Sequence, residues 1–127
     1  MSRRLRVLIV DDEVLLADYV ACVIEDEGHE VVGTAMTARE AMRLLLEHRP
    51  DLAILDIRLK GEADGIELAT SIRASGLSVP YIFITGSGDP ETKARAQAVG
   101  PVAFLQKPFS DAKLLSLLAN LAQAAVE

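Results

Sequence analysis

Tryptophan is absent from the 127-residue chain, cysteine occurs once and aromatic residues make up only 4%. A lone Cys22 excludes an internal disulfide, and its place among Val20, Val23 and Ile24 predicts a buried helical thiol rather than a reactive one. Positive charge is also scarce: 13 Lys and Arg stand against 19 Asp and Glu, a net charge of -6. That balance opposes the phosphate contacts on which nucleic-acid binding depends, and no basic patch is interleaved with aromatics, so no nucleic-acid partner is expected. Long apolar runs are missing as well. The stretch Val7 to Val10, behind the basic Ser2-Arg3-Arg4-Leu5-Arg6, stops at two aspartates and is too short for a signal peptide or a membrane span. No membrane association and a cytoplasmic location are therefore expected. The two histidines, His29 and His48, read as helix-end surface residues without a second ligand at metal spacing.

What the chain does have is 50% apolar content, enough for one compact domain over residues 1–127. Five short apolar runs (5–10, 31–35, 52–57, 79–85 and 103–106) alternate with longer segments whose apolar residues recur at three and four. Start and stop signals bracket those segments. Thr37 and Glu40 have capping-box spacing, Asp89-Pro90 reads as an N-cap followed by proline, Ser110 can cap the last helix, and Gly28, Gly76 and Gly100 sit at helix ends. Five strand-then-helix units predict an α/β fold: a doubly wound, five-stranded parallel sheet with five helices.

In such a sheet ligands bind beyond the carboxyl ends of the strands, so the residues at those exits carry the functional reading. The run "LAILDI" poses the question directly, because a fully buried strand should not end on the carboxylate of Asp56 without compensation. The first strand ends in Asp11-Asp12-Glu13, the fourth in Thr85-Gly86 and the fifth in Gln106-Lys107-Pro108. With the first and third strands adjacent, as in the flavodoxin-like order 2-1-3-4-5, three carboxylates converge on one pocket. Hard oxygen donors in a small space favour Mg²⁺. Phosphoryl transfer needs alignment and charge neutralisation more than a strong nucleophile, so Asp56 is read as the acceptor, Lys107 as the neutralising cation and Thr85 as a hydrogen-bond donor to the phosphoryl group.

These residues resemble the receiver domains of bacterial two-component response regulators. The resemblance runs from about Leu5 to Ala122 and rests on five features in order: Asp11-Asp12 after "VLIV", Asp56 closing "LAILD", "DG" at Asp64-Gly65, Thr85-Gly86 after "YIFI", and "AFLQKPF" from Ala103 to Phe109. It implies that Asp12 binds Mg²⁺ directly, Asp11 mainly through water and Arg58 through its backbone carbonyl, and that Lys107-Pro108 is cis. It further implies a switch, in which Thr85 moves toward the phosphoryl group, Phe104 turns inward, and the face formed by the fourth helix, fifth strand and fifth helix changes. The expected partners are a histidine kinase or phosphotransfer protein as phosphodonor and a downstream protein, and no output domain is expected within 1–127. Two departures touch the loop beside the acceptor. "DIRLKGEADG" lacks the usual proline and is one residue longer, and Gly86 replaces the commoner alanine, with Arg58 and Ser87 flanking the path of attacking water. "FITGS" resembles a variant group of single-domain receivers that work with atypical histidine kinases.

The fourth helix, Asp89 to Val99, offers only alanines and Val99 to the core and should shift easily. In the fifth, Leu114, Leu117, Leu118 and Leu121 form one stripe, and Leu115, Ala119, Ala122 and Val126 widen it to about 200°, against the ~100° a core-facing helix needs. The surplus is expected to serve a partner or a homodimer. Other readings of the sequence are a receiver that binds its partner without phosphate, an aspartyl-nucleophile phosphatase of the haloacid dehalogenase type, and a flavodoxin-like flavin carrier. The last is disfavoured because Asp11-Asp12-Glu13 would repel an anionic phosphate.

Overall fold

The computed structural model describes residues 4–126 apart from 60, 62, 87 and 88; Ser2, Arg3, Ser87 and the side chain of Val126, all named above, lie outside the described residues. Strands and helices alternate throughout: β1 (Arg6–Val10), α1 (Val14–Asp26), β2 (Glu30–Ala35), α2 (Ala38–His48), β3 (Leu52–Asp56), α3 (Gly65–Ala74), β4 (Tyr81–Thr85), α4 (Pro90–Ala98), β5 (Ala103–Gln106) and α5 (Asp111–Val126). The strands pair in parallel in the order β2-β1-β3-β4-β5, as expected. Register brings Val10 beside Leu55, Asp56 beside Ile84, and Thr85 beside Gln106, so four strands end at one level.

Alternation along the strands divides the core between two faces. Leu8, Val10, Ala53, Leu55, Tyr81 and Phe83 pack against α2, α3 and Ala96 of α4. Val7, Ile9, Leu52, Ile54, Ile82 and Ile84 pack against α1 and α5 through Ala17, Val20, Ile24, Leu114, Leu118 and Ala122. Every residue of β3 is buried, which is the expected state of a central parallel strand.

The helix ends follow the sequence signals closely. Thr37 Oγ1 accepts the Glu40 N–H at 3.1 Å and Glu40 reaches back to Met36 N. Asp89 caps α4, Ser110 Oγ accepts the Lys113 N–H, and Gly28, Gly76 and Gly100 all have positive φ just past helix ends. Asp64 and Glu67 form a reciprocal capping box on α3. Asp11 and Asp12 do not cap α1: the N-cap is Glu13, without a side-chain bond.

Two expectations are corrected. Cys22 is exposed, because the buried face of α1 runs through Ala17, Val20 and Ile24 and a residue two positions from both Val20 and Ile24 lies on the opposite side. His29 is buried, not on the surface, and its Nδ1 accepts the Leu5 N–H at 3.0 Å. On α5, of the residues read as widening the apolar arc, Ala122 is buried, Leu115 is half-buried and Ala119 is exposed, so that face is covered in part. The large exposed apolar side chains include Val14, Leu15 and Tyr19 of α1.

The loop after β3 returns to its origin at Gly65, whose N–H donates to Ile57 O at 2.8 Å. A Cβ at Gly65 would overlap the backbone carbonyl oxygen of Asp56, with no flexible side chain available to yield. Gly65→Ala is therefore expected to lower the free energy of unfolding by about 1–3 kcal/mol, the cost of forced overpacking. An unchanged urea midpoint would contradict that close approach.

Candidate functional site

The strand ends create the site. Asp11 leaves β1 as its Oδ1 accepts the Glu13 N–H at 2.9 Å, a short-range turn that fixes the carboxylate. Asp56, the last residue of β3, is oriented the same way, its Oδ1 accepting the Arg58 N–H at 3.0 Å. Both are nearly inaccessible, at 2% and 4% relative exposure. The residues just after β5 bring in the cation: Lys107 N–H donates to Thr85 O at 2.8 Å, and the peptide bond to Pro108 is cis, as the resemblance implied.

The Lys107 ammonium reaches three carboxylates. Its Nζ lies 2.9 Å from Asp56 Oδ2, 3.3 Å from Glu13 Oε1 and 3.6 Å from Asp11 Oδ2. Carboxylate oxygens of Asp11, Asp12 and Asp56 all lie within 4.8 Å of one another. Asp12, Glu13, Asp56, Arg58, Gly86 and Lys107 wall an open cavity of about 380 Å³.

This chemistry fits a small divalent cation. Burial foremost, helped by the neighbouring Asp56 carboxylate, pushes the Asp11 carboxyl up to about 6 against the opposing pull of the Glu13 N–H and Lys107. Partial burial works against the Lys107 ammonium, but its hydrogen bond to Asp56 and the charges of Asp56 and Asp11 outweigh it and hold its pKa above the ordinary lysine value. One ammonium shared among several acids leaves negative charge in excess. A second cation held by Asp11, Asp12 and Asp56 would offset it.

The sequence reading brought Asp11, Asp12, Asp56, Arg58 and Lys107 to one place, and the structure places them together. It places Thr85 differently. By alternation Thr85 points to the other face of the sheet from Asp56 and Lys107, and with Phe104 it walls a neighbouring cavity, while Gly86 walls the acidic one. Phe104 is half-buried, its ring 6.0 Å from that of Phe83. Glu13 was missed as a site residue although it follows two aspartates directly. Its side chain is 61% exposed, and only the folded chain shows it sharing Lys107.

Comparison with known proteins gives a consistent result. A family model described as "Response regulator receiver domain" matches residues 7–119. The transcriptional regulatory protein PdtaR of Mycobacterium tuberculosis is 38% identical over 110 residues, covering 87% of this chain and 53% of its own. The nitrogen assimilation regulatory protein NtrX of Azorhizobium caulinodans is 41% identical over 113 residues, 86% of this chain and 24% of its own. The chain thus spans about half of the first relative and a quarter of the second. Among solved structures, the signal receiver domain of a modulated diguanylate cyclase from Desulfovibrio desulfuricans G20 superposes with a TM-score of 0.87 at 37% identity, covering 95% of both chains. A CheY-like receiver domain protein from Methanospirillum hungatei JF-1 gives 0.86 at 28%, over 97% of this chain and 96% of the other. Among the described residues no helix is long and apolar enough to cross a membrane.

The raised Asp11 pKa sets a pH dependence. A carboxyl whose pKa rises on folding stabilises the fold while protonated, and that contribution fades as pH climbs from the ordinary carboxylate value of 3.8 to about 6. For the same reason a proton on Asp11 competes with a metal. Calorimetric titration with Mg²⁺ is expected to give binding about tenfold weaker one pH unit below the Asp11 pKa than well above it. Asp11→Asn should flatten the profile; a native profile already flat across that range would remove Asp11 from the cation site.

Proposed function

The chain belongs to the response regulator receiver family, and from that premise we propose that it is a phosphorylation-controlled signalling module whose acceptor is Asp56. The haloacid dehalogenase and flavin-carrier readings lose their footing with that membership. The observation that carries the proposal is the meeting of Asp11, Asp12 and Asp56 within 4.8 Å, with Lys107 Nζ 2.9 Å from the Asp56 carboxylate.

In this reading a phosphohistidine of a histidine kinase or phosphotransfer protein enters the open cavity. An Asp56 carboxylate oxygen forms a bond to phosphorus as the P–N bond to the imidazole breaks, and the ring recovers its proton from solvent. Asp56 needs no separate base, since a carboxylate is already the nucleophile. The chain's own contribution is position and charge. The Arg58 N–H holds one oxygen of Asp56, Lys107 neutralises charge gathering on the equatorial oxygens, and the buried strand keeps the carboxylate from swinging. Mg²⁺ held by Asp11, Asp12, Asp56 and the Arg58 carbonyl supplies further charge neutralisation when bound. Hydrolysis reverses the gain: water attacks phosphorus and restores the carboxylate. Phosphorylation and dephosphorylation of its own Asp56 are the only chemistry proposed.

The phosphoryl group then biases a two-state element. Thr85 lines the same cavity as Phe104 and is the chain neighbour of Gly86 in the acidic one, so its displacement toward Asp56 opens space into which Phe104 can turn, reshaping the α4–β5–α5 face for a downstream protein. The exposed Ala119 and half-buried Leu115 of α5 remain available to that partner or to a second copy of the chain.

Incubation with acetyl phosphate and Mg²⁺ is expected to add the mass of one phosphoryl group, and Asp56→Asn to abolish the addition. Lys107→Ala, which withdraws the resident cation, should slow labelling by about 10²-fold or more. Undiminished labelling of Asp56→Asn would move the acceptor elsewhere.

A further inference from the structure

At the opposite ends of the strands a polar group stands without a partner. His29 lies in the turn between α1 and β2 and is 9% exposed. Its Nδ1 accepts the Leu5 N–H, and an imidazole that accepts at Nδ1 carries its proton at Nε2. That Nε2–H has no hydrogen-bond partner among the described residues, although every fully enclosed side-chain polar atom among them is paired. Nε2 is therefore not enclosed, and the open space that His29 borders is a cavity of about 230 Å³. Leu115, Ala119 and Ala122 give it an apolar wall, and these are residues of α5 that widen its apolar arc. Arg4 and Glu27 complete it, both exposed and neither in an ion pair with a described residue. The five residues of β1, about 16 Å of strand, separate this cavity from the acidic one.

We propose that the cavity binds a free aliphatic α-amino acid. The ligand carboxylate accepts from the His29 Nε2–H and the Arg4 guanidinium, its ammonium meets Glu27, and its side chain lies on Leu115, Ala119 and Ala122. Each part of the wall selects one part of the ligand. A simple carboxylate would face Glu27 without a counter-charge, and a simple amine would leave Arg4 and the imidazole N–H unmet. Glu27 and His29 are two residues apart on one turn, and an α-amino acid carries its opposite charges on one carbon. Size sets the upper bound. The cavity falls below the ~300 Å³ at which sites for drug-sized ligands begin, so a nucleotide or flavin is too large. Nothing in this assignment depends on phosphorylation of Asp56.

The test is an amide-resolved NMR titration of the intact protein with L-leucine, with isocaproate, which lacks the ammonium, and with isoamylamine, which lacks the carboxylate. L-Leucine is expected to give saturable shifts at Leu5, His29, Leu115 and Ala119 and none at Asp12, Asp56 or Lys107. Both analogues should bind at least about tenfold more weakly. His29→Asn, whose amide oxygen can still accept the Leu5 N–H, and Arg4→Ala, a change on exposed surface, should each weaken L-leucine binding by about tenfold. Glu27→Gln should erase the advantage of L-leucine over isocaproate. Absence of saturable shifts with L-leucine, equal affinity for either analogue, shifts centred on the acidic cavity, or undiminished binding to Arg4→Ala overturns the proposal.

Discussion

Confinement of like charges at the exits of adjacent parallel strands is the condition around which the molecule is organised. Asp11 and Asp56 are both buried, with one partly buried ammonium between them, and the remaining structure serves to hold that arrangement. The fully buried β3 fixes where Asp56 emerges. Gly65 lets the following loop pass against the Asp56 carbonyl, and the capping box of Asp64 and Glu67 turns that loop into α3. A carboxylate in such a place is costly while unpaired, and a positive ligand relieves the crowding.

The period-two geometry of the strands gives the site its second dimension. Residues one apart in sequence face opposite layers, so Asp56 and Lys107 look toward the α1–α5 layer while Ile57, Thr85 and Gln106 look toward the α4 side. The acidic cavity and the cavity lined by Phe104 are thereby separated by the thickness of a single sheet. The residues that join them are covalent neighbours, which is a shorter mechanical connection than any chain of packed side chains could provide.

The fold was legible because alternation of element type, glycine stops and capping residues are local signals that tertiary packing here reinforces. The acidic triad and Lys107 were legible because residue type and strand-end position together restrict their chemistry. What escaped depended on distance or phase. His29 finds its partner 24 residues away, beyond the reach of a reading by neighbours. Cys22 sits among apolar residues in sequence but out of phase with the buried stripe of α1. The α5 arc was correctly read as apolar, but how much of it the sheet and α1 would cover could not be known without the packing. Which layer the Thr85 side chain faces was not legible either, because it depends on strand parity, which puts it in the cavity next to the acidic one.

The thin attachment of α4 has a consequence for fidelity. Only Ala96 of the helix is fully buried; the Tyr81 hydroxyl donates to the Val99 carbonyl just beyond it, and Arg95 meets Asp64 at 3.3 Å across exposed surface. A helix retained by so little has a low threshold for excursion even when no signal is present. In the function proposed above, the same looseness that lets the helix respond also sets its background, so discrimination between quiet and stimulated states is limited less by the acceptor than by how firmly one alanine methyl is seated.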